Sequence, residues 1–145
     1  GVDIIYCWCS IYERRCFFLR IGVLFLKWAA FYLVIGIGMG LAMEILQDHR
    51  LGGAHAHINL LGWASMAIFG MIYVLFPKAG ESALATVHYW LYVISLPLFM
   101  IGLSFMLVGN TSYMFLLMIF PNVLGISVLL FFINILKNVN IGANK

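Results

Sequence analysis

Four histidines stand in a chain otherwise poor in ionisable groups: His49, His55, His57 and His88. Imidazole ligates metals and carries protons near neutral pH. At membrane depth such a group marks a functional position by default. The densest stretch is Ala54-His55-Ala56-His57-Ile58-Asn59-Leu60-Leu61-Gly62-Trp63. An α-helix turns about 100° per residue, so His55 and His57 project roughly 200° apart and cannot readily share one metal while both stay helical. They serve two sites on opposite faces, or one ligates while the other holds a hydrogen bond. The bland alternative is two histidines satisfied by water at a membrane interface. Ala54, Ala56 and Gly62 leave room beside the helix for something bulky. A haem macrocycle needs such a groove, and its iron commonly takes a histidine nitrogen.

The other histidines have weaker surroundings. His49 lies between Asp48 and Arg50 in a short polar stretch. It is an ordinary surface group or a further metal ligand with His55 and His57, where imidazole suits copper or zinc. Arg50 is a candidate partner for a haem propionate, because guanidinium matches carboxylates bidentately. His88 precedes Tyr89, Trp90 and Tyr92. It reads as an interfacial histidine in an aromatic belt, with a second haem, quinone contact or proton transfer as alternatives. Asn59 is expected to make an interhelical hydrogen bond. Glu44 is expected to cap the first helix, and Met66 and Met71 are ordinary apolar residues of the histidine-bearing helix.

Hydrophobic residues make up 65% of the 145 and charged residues 9%, against about 25% charged in soluble domains. A membrane span needs about 20 apolar residues. Four stretches qualify: Ile21–Met43, His57–Phe76, Thr86–Val108 and Tyr113–Leu136. The expected fold is all-α, an integral membrane four-helix bundle. Residues 1–20 form an N-terminal segment and residues 137–145 a tail. Short connections force neighbouring helices to run antiparallel. Arg14, Arg15, Arg20, Lys78, Lys137 and Lys145 fall on one side and only Arg50 on the other, which predicts cytoplasmic termini. His57 and His88 then lie about 28 Å apart along the helix direction, from roughly 19 rises of 1.5 Å. They do not share an iron within one chain.

Packing devices are also present. Gly36-x-x-x-Gly40 offers a close contact within or between protomers. Pro97 and Pro121 interrupt the backbone ladders of the third and fourth helices. Cys7, Cys9 and Cys16 form no C-x-x-C pair and read as reduced thiols. A net charge of +3 without a basic patch gives no nucleic-acid partner. No phosphate loop, paired carboxylates or Ser/His/Asp arrangement is recognisable, and catalysis stays open.

The stretch His55–Pro77 resembles the histidine-bearing helices of haem–copper oxidase subunit I, nearest the nitric-oxide-reductase and cbb3-type branches. In that family the two histidines of a His-x-His pair ligate different haems on opposite sides of one helix. His88-Tyr89-Trp90 and Leu96–Phe99 are similar to segments of small four-helix proteins described as oxidase subunit I-like, extending the likeness over about Leu26–Asn138. The resemblance implies haem b on His57 and His55, in electron transfer or oxygen or nitric oxide chemistry, within a bacterial cytoplasmic membrane. Subunit I has about twelve helices in three arcs of four, so a homotrimer would rebuild that layout. Copper is a further possibility without a ligand set of its own. Two other functions stay open: an accessory subunit of a larger respiratory complex, and a metal-handling protein using His49, His55 and His57.

Overall fold

A computed structural model describes residues 2–139, with side chains from residue 21 onward. Expectations for Cys7, Cys9, Cys16, Arg14, Arg15, Arg20 and Lys145 fall outside the described side chains. The elements are α1 (Val2–Leu46), α2 (Gly52–His57), a π-helical segment (Ile58–Ser65), α3 (Met66–Leu75), α4 (Pro77–Gly80), α5 (Ala83–Leu107) and α6 (Met114–Asn138). Four helical stretches are long and apolar enough to cross a membrane: Ile21–Leu46, Gly52–Leu75, Ala83–Leu107 and Met114–Asn138. The chain is an integral membrane protein. Large apolar side chains face outward from all four, such as Val34 (70% exposed), Leu75 (69%), Trp90 (57%) and Met118 (71%).

The backbone of residues 2–20 is helical and continues into α1. Two boundaries differ from expectation. The second span begins at Gly52, not His57. His55 and His57 therefore sit inside a formed helix. At the other end α6 runs through Asn138, so residues 137 and 138 belong to it.

The helix ends follow local chemistry. After α1, Gln47 N bonds Glu44 O and Asp48 N bonds Met43 O. This is the paired carbonyl capture of a left-handed C-terminal cap, and Gln47 accepts φ 52° to make it. The same pair of bonds closes α5, from Gly109 N to Met106 O and Asn110 N to Phe105 O. There φ 88° falls on a glycine, which has no Cβ to oppose it. Phe76 is extended (φ −118°, ψ 81°) because it precedes Pro77. Ser82 caps α5, its hydroxyl accepting from Ala85 N at 3.1 Å.

The helices pack as two pairs, α1 against the second span and α5 against α6. At Gly22 and Gly70 the first pair meets backbone to backbone. A Cβ on Gly70 would stand 2.8 Å from Gly22 O. Aromatic rings join the pairs: Phe25 of α1 lies 5.2 Å from Tyr89 of α5, and Phe69 of α3 lies 4.5 Å from Phe131 of α6. The Gly36–Gly40 strip is used within the protomer. Gly36 faces the Asn59 side chain and Gly40 faces the His55 ring.

Candidate functional site

The His-x-His pair opens the second span in α2, where the backbone is still α-helical. The two rings diverge as the rotation predicts. His55 is half-buried with its Cε1 against Gly40 of α1. His57 is exposed, with its ring edge-on to Phe99 of α5 at 5.6 Å. His57 Nδ1 lies 2.8 Å from Gly53 O, four residues back. A carbonyl oxygen can only accept, so Nδ1 carries the proton and Nε2 keeps its lone pair. Metal-ligating histidines are usually held this way, the second nitrogen donating to a carbonyl or carboxylate.

Immediately after His57 the helix widens into the π-helical turn Ile58–Ser65. Such turns occur mostly as local insertions, often at functional positions. Side chains supply donors along this stretch. Asn59 Nδ2 donates to His55 O at 2.9 Å, Ser65 Oγ to Leu60 O at 2.9 Å, and Tyr92 Oη of α5 to Leu61 O at 3.0 Å. Each carbonyl needs a partner in a bilayer, where water is absent. The expected interhelical bond of Asn59 is replaced by this bond to its own helix. The room expected at Gly62 holds the Tyr32 ring of α1, whose Cγ would be 2.6 Å from a Cβ there.

The polar loop is self-contained. Arg50 grips Asp48 through Nε, 3.0 Å from both carboxylate oxygens, so the guanidinium expected to meet a propionate already has a carboxylate. Hydrogen bonds from Arg50 pull the Asp48 carboxyl down to about 2, and the same pairing raises Arg50. His49 Nε2 stands 3.6 Å from a Glu44 carboxylate oxygen. Among the described residues no three His, Cys, Asp or Glu side chains converge on a point where they could hold a metal ion. His49, His55 and His57 thus do not form a shared site.

His88 is at the opposite end of the bundle and is completely buried. Nδ1 is 2.9 Å from the Tyr73 hydroxyl. Around the ring lie Phe25 at 5.0 Å, Phe69 at 4.8 Å, Phe131 at 5.3 Å and Tyr92 at 5.7 Å. No haem-sized face is open beside it. Asn134 of α6, also fully buried, donates to Ala79 O at 2.9 Å and to Tyr73 Oη at 3.4 Å. Its oxygen accepts from Ser82 at 2.9 Å and Asn138 at 2.6 Å. Sequence reasoning passed over Asn134 and Tyr73. The signal was there in an asparagine within a strongly apolar run, which must find a partner in lipid.

The described fold and sites define a four-helix integral membrane protein with a histidine pair at one end and a buried His–Tyr–Asn network at the other. No family model matches the chain, and neither a curated protein nor a solved structure matches it significantly.

Proposed function

We propose that this chain is a membrane haem protein in which His57 would ligate the iron. The observation that carries the reading is the His57 ring itself. Nδ1 is fixed on Gly53 O at 2.8 Å while the ring is exposed, leaving Nε2 free to ligate. The donor fits haem iron, and the fixed tautomer removes a proton from the nitrogen that must bind. His55 fits less well, because ligation there would require α1 to move away from its ring. This shifts the weight of the His-x-His resemblance to subunit I of the haem–copper oxidases onto one histidine.

Haem held by His57 would supply one-electron transfer or diatomic gas binding. The chain's own contribution is to orient the imidazole, through Gly53 and the edge of Phe99. Exposure of His57 means that the rest of a haem pocket comes from outside this chain. A second copy is the favoured source, with a threefold assembly as the form the resemblance implies. A larger respiratory complex is the other source.

A pyridine haemochrome assay on the purified protein tests the reading. Haem is expected in the wild type and in His55→Ala, and is expected to be lost from His57→Ala. Haem retained by His57→Ala sinks the ligand assignment, and colourless wild-type protein sinks the function. A carbon monoxide difference spectrum then separates gas binding from pure electron transfer. Native mass spectrometry separates a homotrimer from a monomer.

A further inference from the structure

A cavity of about 480 Å³ lies between α1 and α5, with Leu51 and Ile58 also lining it. It belongs to neither histidine centre. Its walls are mostly apolar, with the aromatic side chains of Trp28, Phe31 and Tyr32 on α1 facing Pro97, Ser104 and Phe105 on α5. Phe31 (53% exposed) and Phe105 (37%) stand at its open side. Both lie within membrane-crossing helices, so the cavity opens toward lipid. The wall is braced, since Trp28 Nε1 donates to Tyr89 Oη at 3.1 Å. The size falls within the few-hundred to thousand Å³ range typical of small-molecule sites.

Two hydroxyls among the lining residues lack partners. Tyr32 is only 6% exposed, and neither its hydroxyl nor that of Ser104 makes a hydrogen bond among the described residues. Hydrocarbon offers the Tyr32 hydroxyl no partner, so it stays unpaired unless a ligand in the cavity supplies an acceptor. Tyr32 lies near the middle of the span Ile21–Leu46. Phospholipid ester and headgroup oxygens sit at the interfaces, far from that depth, and an acyl chain offers Tyr32 nothing. A ligand that satisfies Tyr32 must bring an acceptor into the hydrocarbon core on an apolar body. Aromatic walls favour a flat ring.

We infer that the α1–α5 cavity binds a lipid-soluble quinone, its ring against Trp28 and Phe31 and a carbonyl oxygen accepting from the Tyr32 hydroxyl. The inference stands on the cavity and its free hydroxyls. It needs no haem and includes no electron transfer.

The test uses the full chain in phosphatidylcholine nanodiscs, titrated with a short-chain prenylated benzoquinone and followed by tryptophan quenching. A saturable component is expected in the wild type. Tyr32→Phe is expected to weaken it about 3- to 10-fold, the size of one net hydrogen bond. Ser104→Phe, which fills the cavity, is expected to abolish it. Leu129→Phe, on the exposed face of α6, controls for partitioning into lipid and is expected to bind as the wild type does. Helical circular dichroism confirms that each variant is folded. Quenching that is linear and identical in all four proteins overturns the inference. So does a phospholipid that co-purifies with the wild type and is absent from Ser104→Phe, since an acyl chain then owns the cavity. Loss of haem from His57→Ala leaves the quinone result unaffected, so the two proposals fail separately.

Discussion

The Tyr73 hydroxyl lies 2.9 Å from His88 Nδ1, and this contact joins α3 to α5 in the centre of the aromatic core. Asn134 Nδ2 donates to the same hydroxyl oxygen from α6. The Tyr73 oxygen accepts from Asn134 and is hydrogen-bonded to His88 Nδ1, while His88 Nε2 has no partner among the described residues. Three helices are tied by two bonds that share one oxygen.

Removing the Tyr73 hydroxyl leaves His88 Nδ1 buried without a partner, while Asn134 keeps Ala79 O, Ser82 and Asn138. Tyr73→Phe is expected to destabilise the fold by about 1–3 kcal/mol, the usual cost of orphaning a buried polar group. Adding His88→Phe removes the orphaned nitrogen and should recover part of that loss. Reversible unfolding in mixed micelles as the denaturing detergent rises measures both. A double variant as unstable as the sum of the two singles would show that Tyr73 and His88 do not act as a unit.

The four spans were legible in the sequence because lipid admits few alternatives to long apolar helices. Divergence of His55 and His57 was legible too, since it follows from helix rotation alone. Burial of His88 was not. Its neighbours Tyr89, Trp90 and Tyr92 suggest an interface belt, and only the approach of Phe25, Phe69 and Phe131 from three other helices encloses it. Gly62 was read as room for a ligand, whereas the Tyr32 ring takes that room. A small residue announces a close neighbour without saying which one. The π-helical turn was hidden for a similar reason, because Tyr92, which donates to one of its carbonyls, comes from a distant part of the chain.

Gly62→Ala tests the Tyr32 contact. The added methyl would lie 2.6 Å from Tyr32 Cγ and 2.7 Å from its Cβ, close to the α1 backbone, where a rotamer change gives little relief. Overpacking of this kind typically costs about 1–3 kcal/mol. The same unfolding measurement is expected to show a loss in that range. An unchanged midpoint would mean that α1 and the second span are not seated as described.

Asp48 gives a pH prediction. Its carboxyl is held down to about 2 by Arg50, against an ordinary value of 3.8. A lowered acid stabilises the folded loop above the unfolded value and loses that contribution as pH falls from near 3.8 through about 2. The contribution is small, because the pair is exposed and screened by solvent. Between pH 5 and 8 the loop should not respond to Asp48 at all. Carbon-13 NMR of the labelled carboxyl should give a midpoint well below 3.8, rising toward it in Arg50→Gln. A midpoint that ignores the Arg50 substitution would break the assignment.

Tyr92→Phe addresses the widened turn beside the histidine pair. The Tyr92 hydroxyl donates to Leu61 O at 3.0 Å, and its ring is completely buried. Phenylalanine keeps the ring and removes one donor, so packing is conserved while a π-segment carbonyl loses its side-chain partner. A loss of about 0.5–1.5 kcal/mol is expected from the bond alone. If the turn depends on donors from outside its own backbone, its amides should also lose protection. Hydrogen exchange should then rise across Ile58–Ser65 while α6 keeps its protection. Uniform loosening of both segments would instead mark Tyr92 as a general core residue. Unchanged exchange throughout would show that the turn is intrinsic to its own sequence.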